Sequence, residues 1–542
     1  MRFNPLLIAA AVTVPVPLAA QRGDALAITI EELGARLRLF SSDLFEGRLP
    51  GTRGEALTTA YLVSELEGFG LRPGAATGWL QPVSIVTHEP SPDSPNEARV
   101  SGRVSRGLEH GRDIRLSNQS DSALVEAGGE LVFVGYGVHA PMYRWDDFAG
   151  IDLRGKVAVA LLGEPTIPGD SVRFNGVRAS RFSWARDKVA EMERRGAVGV
   201  LWVRPAGSIS RSPVTGARRL ADEAARSRGR FTGLVTDSAL ATLLPPRAAA
   251  LPDLVAGAER PGFRAVPLGV RLDVRFRTRP LAVRTHNVLG VVPGRDSSLA
   301  GEHVVLSAHW DAYGIGPAVN GDSIYNGALD DGSGVTVLLA LARMFAGHAQ
   351  RRSLTFLFTT AEEWGLLGAR AYACDSPVPL DRIVANLNVD DGVELFGVKR
   401  DAAPLGIEFS TLGQTVAEIA GRMGLRVAPD PYPEEGFFLR ADNYPFAVAG
   451  VPALYMALGT DVAGRPAGWT DARVREYLER HYHRPSDEYD TVVVDLNGAR
   501  QFAEFVRDVT IAVAGAAERP QWLAGAEFAR PIGGPQTAIR CR

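Results

Sequence analysis

His309 and Asp311 stand two residues apart in VVLSAHWDAYGIG, directly after the apolar run Val304 to Leu306. Asp330 and Asp331 follow in NGALDDGSG, and Glu362 and Glu363 in SLTFLFTTAEEWG. Imidazoles and carboxylates ligate metals or carry protons. Six such groups repel one another in a shared crevice unless cations or protons offset their charge. Asp390-Asp391 ends the apolar run Ile383 to Val389, and His483 lies in HYHRPSDEYD. Two imidazoles with several carboxylates and no thiolate suit zinc, with manganese or cobalt as substitutes. One carboxylate can bridge two ions about 3.5–4 Å apart, so this ligand count supports a two-metal site. Taken singly, each pair has a plainer explanation: adjacent acids often stabilise a helix N-terminus, and a lone His-x-Asp pair is usually structural. Their recurrence at successive strand ends is what favours metal.

The positioning elements are short apolar strands that end abruptly in polar residues, the pattern of buried parallel strands opening onto a crevice. Val304 to Leu306, Leu354 to Phe358, Ile383 to Val389 and Pro452 to Met456 read this way. Between the first two, Val335, Leu338, Leu339, Ala342 and Phe345 fall at helical spacing. Further helices are predicted over Ala56 to Glu67, with Gly70 as a C-terminal cap, over Lys188 to Arg195, and over Gly498 to Ala516. The alternation predicts a doubly wound α/β core. Residues 88 to 129 read as loop and short strands, Glu130 to Pro165 as a small β-rich module, and Ala197 to Val203 as a buried strand. The stretch from 206 to 265 carries no strong signal, and Asn287 to Val292 reads as the strand that rejoins the core.

The 542 residues exceed the usual size of a single core. The expected division is a signal peptide at 1–20, a catalytic domain in two parts at 28–84 and 276–518, an insertion at 85–275, and a C-terminal tail at 519–542. A net charge of −3 gives no electrostatic case for nucleic acid or an anionic membrane. Arg2, the apolar run Leu6 to Val16 and the small residues Ala19 and Ala20 form a signal-peptide pattern. It predicts an exported protein, periplasmic or extracellular, without stable membrane insertion after cleavage. Cys374 and Cys541 suit such a compartment and could form one bridge.

His309-Trp310-Asp311, Gly327 to Asp331, Ala361-Glu362-Glu363, Asn388-Val389-Asp390 and Tyr482-His483 together resemble the bacterial dizinc aminopeptidases, metallopeptidase family twenty-eight. The resemblance covers 30–82 and 284–515. It implies an α/β zinc-exopeptidase fold with a mixed sheet, peptide substrates and cleavage of the N-terminal peptide bond. Two Zn2+ are implied, with Asp330 bridging them. His309 and Asp390 would hold one ion, and Glu363 and His483 the other. Glu362 would be the general base for a metal-bridged water, Asp311 would orient His309, and the Asp330–Asp331 peptide bond would be cis. Gly135-Tyr136-Gly137, Trp145-Asp146-Asp147 and Gly155-Lys156-Val157 make the insertion resemble a protease-associated domain. In Phe438 to Phe446 the chain departs from the family, with Ala441 and Asn443 where Ser and His are usual.

The alternatives on this fold are a carboxypeptidase or dipeptidase, for which Arg440 is a candidate carboxylate ligand, and a metal-free receptor-like protein. Glutaminyl cyclase, which works with one zinc, fits a five-ligand set less well. A receptor would have lost ligands, and here the set is complete.

Overall fold

The computed structural model describes residues 27–529 apart from 168, 171–172, 177, 210–214, 227–228, 245–249 and 391. The signal-peptide pattern, Asp391 and the expected Cys374–Cys541 bridge therefore fall wholly or partly outside the described residues.

The half that carries His309 is built on an α/β sheet in which three parallel strand pairs follow an antiparallel one. Across it run Val266–Val292, Ser353–Thr359, His303–His309, Ile383–Val389 and Ala453–Met456, the last four mutually parallel. Side chains alternate between faces along a strand, and apolar residues fill both. Val304 and Leu306 pack into one core with Leu354 and Phe356, while Val305 and Leu357 pack into another. The first core is closed by the helices Ile30–Phe40, Arg53–Phe69, Ser333–Ala346 and Leu496–Gly515, the second by Leu367–Cys374 and Asn443–Val448. Helices on both faces are what near-continuous apolar strands require, and the doubly wound reading holds. Gly70, at φ 83°, caps Arg53–Phe69 in the left-handed conformation that glycine tolerates.

The inserted half is a second α/β layer. Its strands Leu124–Phe133, Val157–Ala160, Gly199–Arg204 and Phe231–Thr236 run parallel, around a separate apolar core that includes Phe133, Val159, Leu201 and Phe231.

The two halves share one strand. Val266–Val292 pairs with Leu124–Phe133 at its beginning, with Leu80–Pro90 along its middle and with Ser353–Thr359 at its end. The limits expected at 85 and 275 each fall inside one of these strands. The expectation that the core strand begins at Asn287 is corrected: the strand begins 21 residues earlier, at Val266 rather than Asn287. Leu268, Val270, Leu272, Val274 and Phe276 are buried in alternation with exposed residues such as Arg271, Arg275 and Arg277. The silent 206–265 stretch also holds the strand Phe231–Thr236 and the helix Leu251–Ala258.

The first residues of the expected tail are packed. Arg519 donates to Glu302 at 2.7 Å, Trp522 donates its indole N–H to the Gly450 carbonyl at 3.1 Å, and Phe528 is buried against Phe409 and Phe438. Among the described residues, no helix is long and apolar enough to cross a membrane.

Candidate metal centre

Parallel pairing puts three polar strand ends side by side. His309 is the last residue of its strand and lies opposite Thr359, so Glu362 and Glu363 emerge just beyond. Asn388 lies opposite Ser307, so Asp390 emerges on the other flank. Asp330 and Asp331 arrive from a turn, Ala328–Gly332, that leads into the helix Ser333–Ala346. The Asp330–Asp331 peptide bond is cis, as the resemblance implies.

The donors form two groups that share one residue. His309, Asp330 and Asp390 offer ligand atoms within 4.8 Å of one another, and so do Asp330, Glu363 and His483. Asp330 faces each group with a different oxygen: Oδ1 lies 3.1 Å from His309 Nε2 and Oδ2 lies 3.3 Å from His483 Nε2. His483 Nε2 is 3.2 Å from Glu363 Oε2, and His309 Nε2 is 3.8 Å from Asp390 Oδ1. Glu362 belongs to neither group; its Oε2 stands 3.9 Å from His309 Nε2. Asp311 is fully buried. Its backbone carbonyl faces His309 Nδ1 at 3.1 Å, its carboxylate is 3.7 Å from the same nitrogen, and Oδ1 accepts the Glu362 N–H at 3.0 Å. The seven residues to which the resemblance gives roles, His309, Asp311, Asp330, Glu362, Glu363, Asp390 and His483, are thus brought together.

Asp331, one of the six groups read from sequence, holds these loops together with residues that the sequence reading passed over. Asp331 accepts the His309 N–H and the Gly334 N–H, each at 3.0 Å. Asp487 accepts from the backbone N–H groups of Leu329 at 2.9 Å and Asp330 at 3.2 Å, and from the Tyr477 hydroxyl at 3.0 Å. Arg48 is fully buried and donates to four carbonyls: Trp310 at 2.7 Å, Phe40 at 3.1 Å, Asn326 at 2.5 Å and Gly327 at 2.9 Å. Its guanidinium thereby ties the loop after His309 to the loop before Asp330. Tyr313 donates to Glu363 at 2.6 Å. Asp487 stands four residues beyond His483, which was a usable signal; nothing near Arg48 in sequence announces its partners.

Burial and crowding dominate the electrostatics. Burial, with repulsion from neighbouring acids, holds Glu362 and Asp390 well above the ordinary carboxylate range, raises Glu363, and pushes Asp311 up to about 7. Burial opposes charge on His309, yet Glu362, Asp330, Asp390 and Asp331 outweigh it and raise the imidazole well above its usual value. Asp330 goes the other way, because its bonds to His309 and His483 overcome burial. Carboxylates so placed take up protons unless a cation compensates them. Oxygen and imidazole donors converging in two groups around one shared carboxylate fit a pair of divalent ions.

Beside the donors opens a cavity of about 270 Å³. His309, Asp330, Glu362, Glu363, Asp390 and His483 line one end, while Phe396, Leu405, Phe437, Tyr455, Leu458 and Val474 make the remainder apolar. Trp184, from the inserted half, completes the wall. Of the two departures, Ala441 lines the cavity, whereas Asn443 is buried and donates to the Phe438 carbonyl at 2.9 Å.

Residues 287–510 match the model of peptidase family M28. That segment contains every donor of both groups. A vacuolar membrane protease of Kluyveromyces lactis is 35% identical over 120 residues, which are 22% of this chain and 12% of that protein. A probable leucine aminopeptidase 2 of Aspergillus oryzae is 34% identical over 107 residues, 20% of this chain and 19% of that one. The chain thus spans less than a fifth of either relative. Among solved structures, an aminopeptidase from Aneurinibacillus sp. strain AM-1 shares the fold, with a TM-score of 0.51 at 19% identity over 91% of this chain and 96% of that one.

Proposed function

We propose that the chain is an exported dizinc metallo-exopeptidase that hydrolyses the N-terminal peptide bond of peptides. The observation that carries this reading is the pair of donor groups sharing Asp330, with Glu362 beside them and an apolar cavity adjoining. His309, Asp330 and Asp390 would hold one Zn2+, and Asp330, Glu363 and His483 the other; Mn2+ or Co2+ could replace them. When bound, the ions supply Lewis acidity that activates water and polarises the scissile carbonyl.

The chain's own residues do the rest. Glu362 accepts the proton of the attacking water on its carboxylate and delivers it to the leaving amine nitrogen. Burial first, and then neighbouring acids, raise its proton affinity above that of an ordinary carboxylate, which suits a group that takes up and returns a proton. Asp311 fixes the Glu362 backbone and faces His309 Nδ1, so one residue orients both the base and a ligand. The apolar cavity receives the side chain of the first residue, which favours large aliphatic or aromatic ones.

The resemblance of the N-terminus to a signal peptide supports export to the periplasm or beyond, and the Gly-Tyr-Gly and Trp-Asp-Asp motifs support a protease-associated insertion. The carboxypeptidase reading keeps one observation in its favour, since Arg440 lines the cavity. That guanidinium is already engaged, donating to the Tyr482 hydroxyl at 3.1 Å and standing 3.5 Å from the Glu435 carboxylate.

Mass spectrometry of a peptide mixture, half of it acetylated at the amino terminus, tests the reading on zinc-loaded protein. Stepwise loss from free amino termini alone is expected. Loss from carboxyl termini, acetylated peptides included, would replace it with the carboxypeptidase reading.

A further inference from the structure

Arg218 comes from the inserted half and lies against the metal-bearing loop of the other half. Its guanidinium stacks over the Trp364 ring, 4.5 Å from the centroid, and Trp364 directly follows Glu363. The side chain is exposed, and no acid lies within ion-pair distance of it among the described residues. Its charge interacts instead with Tyr313, Asp311 and Glu363, which places it beside the centre without joining it. Neighbouring arginines are engaged: Arg219 donates to the Gln119 carbonyl at 3.0 Å, and Arg370 pairs with Glu223. An arginine held over an indole keeps its planar fork of donors pre-set for a carboxylate.

The position has a direction as well. The apolar part of the cavity, where the first residue's side chain would lie, includes neither Trp364 nor Arg218. A peptide whose scissile carbonyl sits at the donor groups continues beyond that apolar part, and Trp364 directly follows Glu363 without lining the cavity. Extended chain spans about 3.3–3.6 Å per residue, so a carboxylate a few residues beyond the cut is within reach of a long side chain next to Glu363.

We propose that Arg218 is a specificity-determining residue that binds a carboxylate on the leaving side of the substrate. The carboxylate is either the free C-terminus of a short peptide or an acidic side chain after the cut. The inference rests on the aminopeptidase reading. It also gives the insertion a role in catalysis beyond walling the cavity with Trp184.

The test compares kcat/KM of the zinc-loaded full chain for leucyl-glycyl-glycine and its C-terminal amide, for longer leucyl-oligoglycines, and for leucyl-glutamyl amide against leucyl-glutaminyl amide. A charge-assisted bond of this kind corresponds to a preference of about tenfold or more. The acid form is expected to be favoured in at least one arm, through KM. Arg218→Ala is expected to bring that ratio close to one, and Arg218→Lys to keep part of it. A C-terminal arm that fades with length identifies the terminus as the source, and a glutamyl preference identifies the side chain. Cleavage of the amides with no acid preference in either arm, or a preference that survives Arg218→Ala, overturns the inference alone. No cleavage of any peptide overturns the aminopeptidase reading with it.

Discussion

The Asp487 carboxylate accepts the backbone N–H of Asp330 at 3.2 Å, so the residue common to both donor groups is held by a second acid that belongs to neither group. Burial pushes Asp487 up to about 7, against the backbone bonds and the Tyr477 hydroxyl that favour its charge. Replacing it with Asn turns one oxygen into a donor facing other donors. Asp487→Asn is expected to weaken metal affinity about 10- to 100-fold, measured by competition with a chromogenic chelator. Wild-type affinity in the variant would show that the Asp330 loop holds its geometry without this carboxylate.

Glu362 stands outside both groups, and this separates binding from turnover. Glu362→Gln is expected to retain full metal content while kcat falls by about 100-fold or more. Metal analysis and steady-state kinetics on one preparation check both halves. Near-normal kcat would remove Glu362 from the mechanism.

Arg48 presents a different kind of dependence. Burial lowers its pKa to about 10, and nearby Asp487, Asp311, Asp331 and Asp330 favour its charge. Arg48→Met would leave four buried carbonyls without their donor, each costing about 1–3 kcal/mol. Thermal unfolding is expected to shift down by the equivalent of at least about 3 kcal/mol, with reduced metal affinity because two donor loops lose their tie. A small shift in both would show that water replaces the guanidinium.

The inserted half carries its own pH dependence. Glu164 accepts the Ser180 N–H at 2.6 Å; burial nevertheless raises it from 4.5 to about 7, with Glu527 adding to the rise and Lys188 opposing it. A carboxyl group raised on folding stabilises fully below its unfolded pKa, and that contribution is lost as pH climbs through the folded value. The insertion is therefore expected to lose roughly 3 kcal/mol between pH 4.5 and 7. Lys188, lowered to about 7 by burial, acts in the opposite sense only above that pH. Melting followed by tryptophan fluorescence should show the fall, and Glu164→Gln should make it shallower while leaving the part due to Asp147, which burial raises to about 6. A wild-type profile that rises across this range would contradict the assignment.

Much of the core was legible because buried parallel strands leave a plain trace. Ile383–Val389 was read to the residue, and Ser353–Thr359 to within one at each end. The candidate donors were legible from the same trace, because acids and imidazoles recur at successive strand ends. The Val266–Val292 strand was missed because arginines occupy its exposed positions and disguise its two-residue period as a charged stretch. Arg48 was missed because its partners are backbone carbonyls, three of them more than 260 residues away, and main-chain groups leave no mark in sequence. Arg218 stacks on Trp364 across the two halves, a relation that only the assembled sheet creates.

Metal content per chain, measured by plasma mass spectrometry after zinc loading and desalting, tests the central arrangement most directly. The wild-type protein is expected to retain two zinc ions. Asp390→Ala and His483→Ala should each retain about one, and Asp330→Ala close to none, because only Asp330 serves both groups. A single ion in the wild-type protein, or two ions in Asp330→Ala, would contradict the shared-carboxylate centre on which the proposed reaction depends.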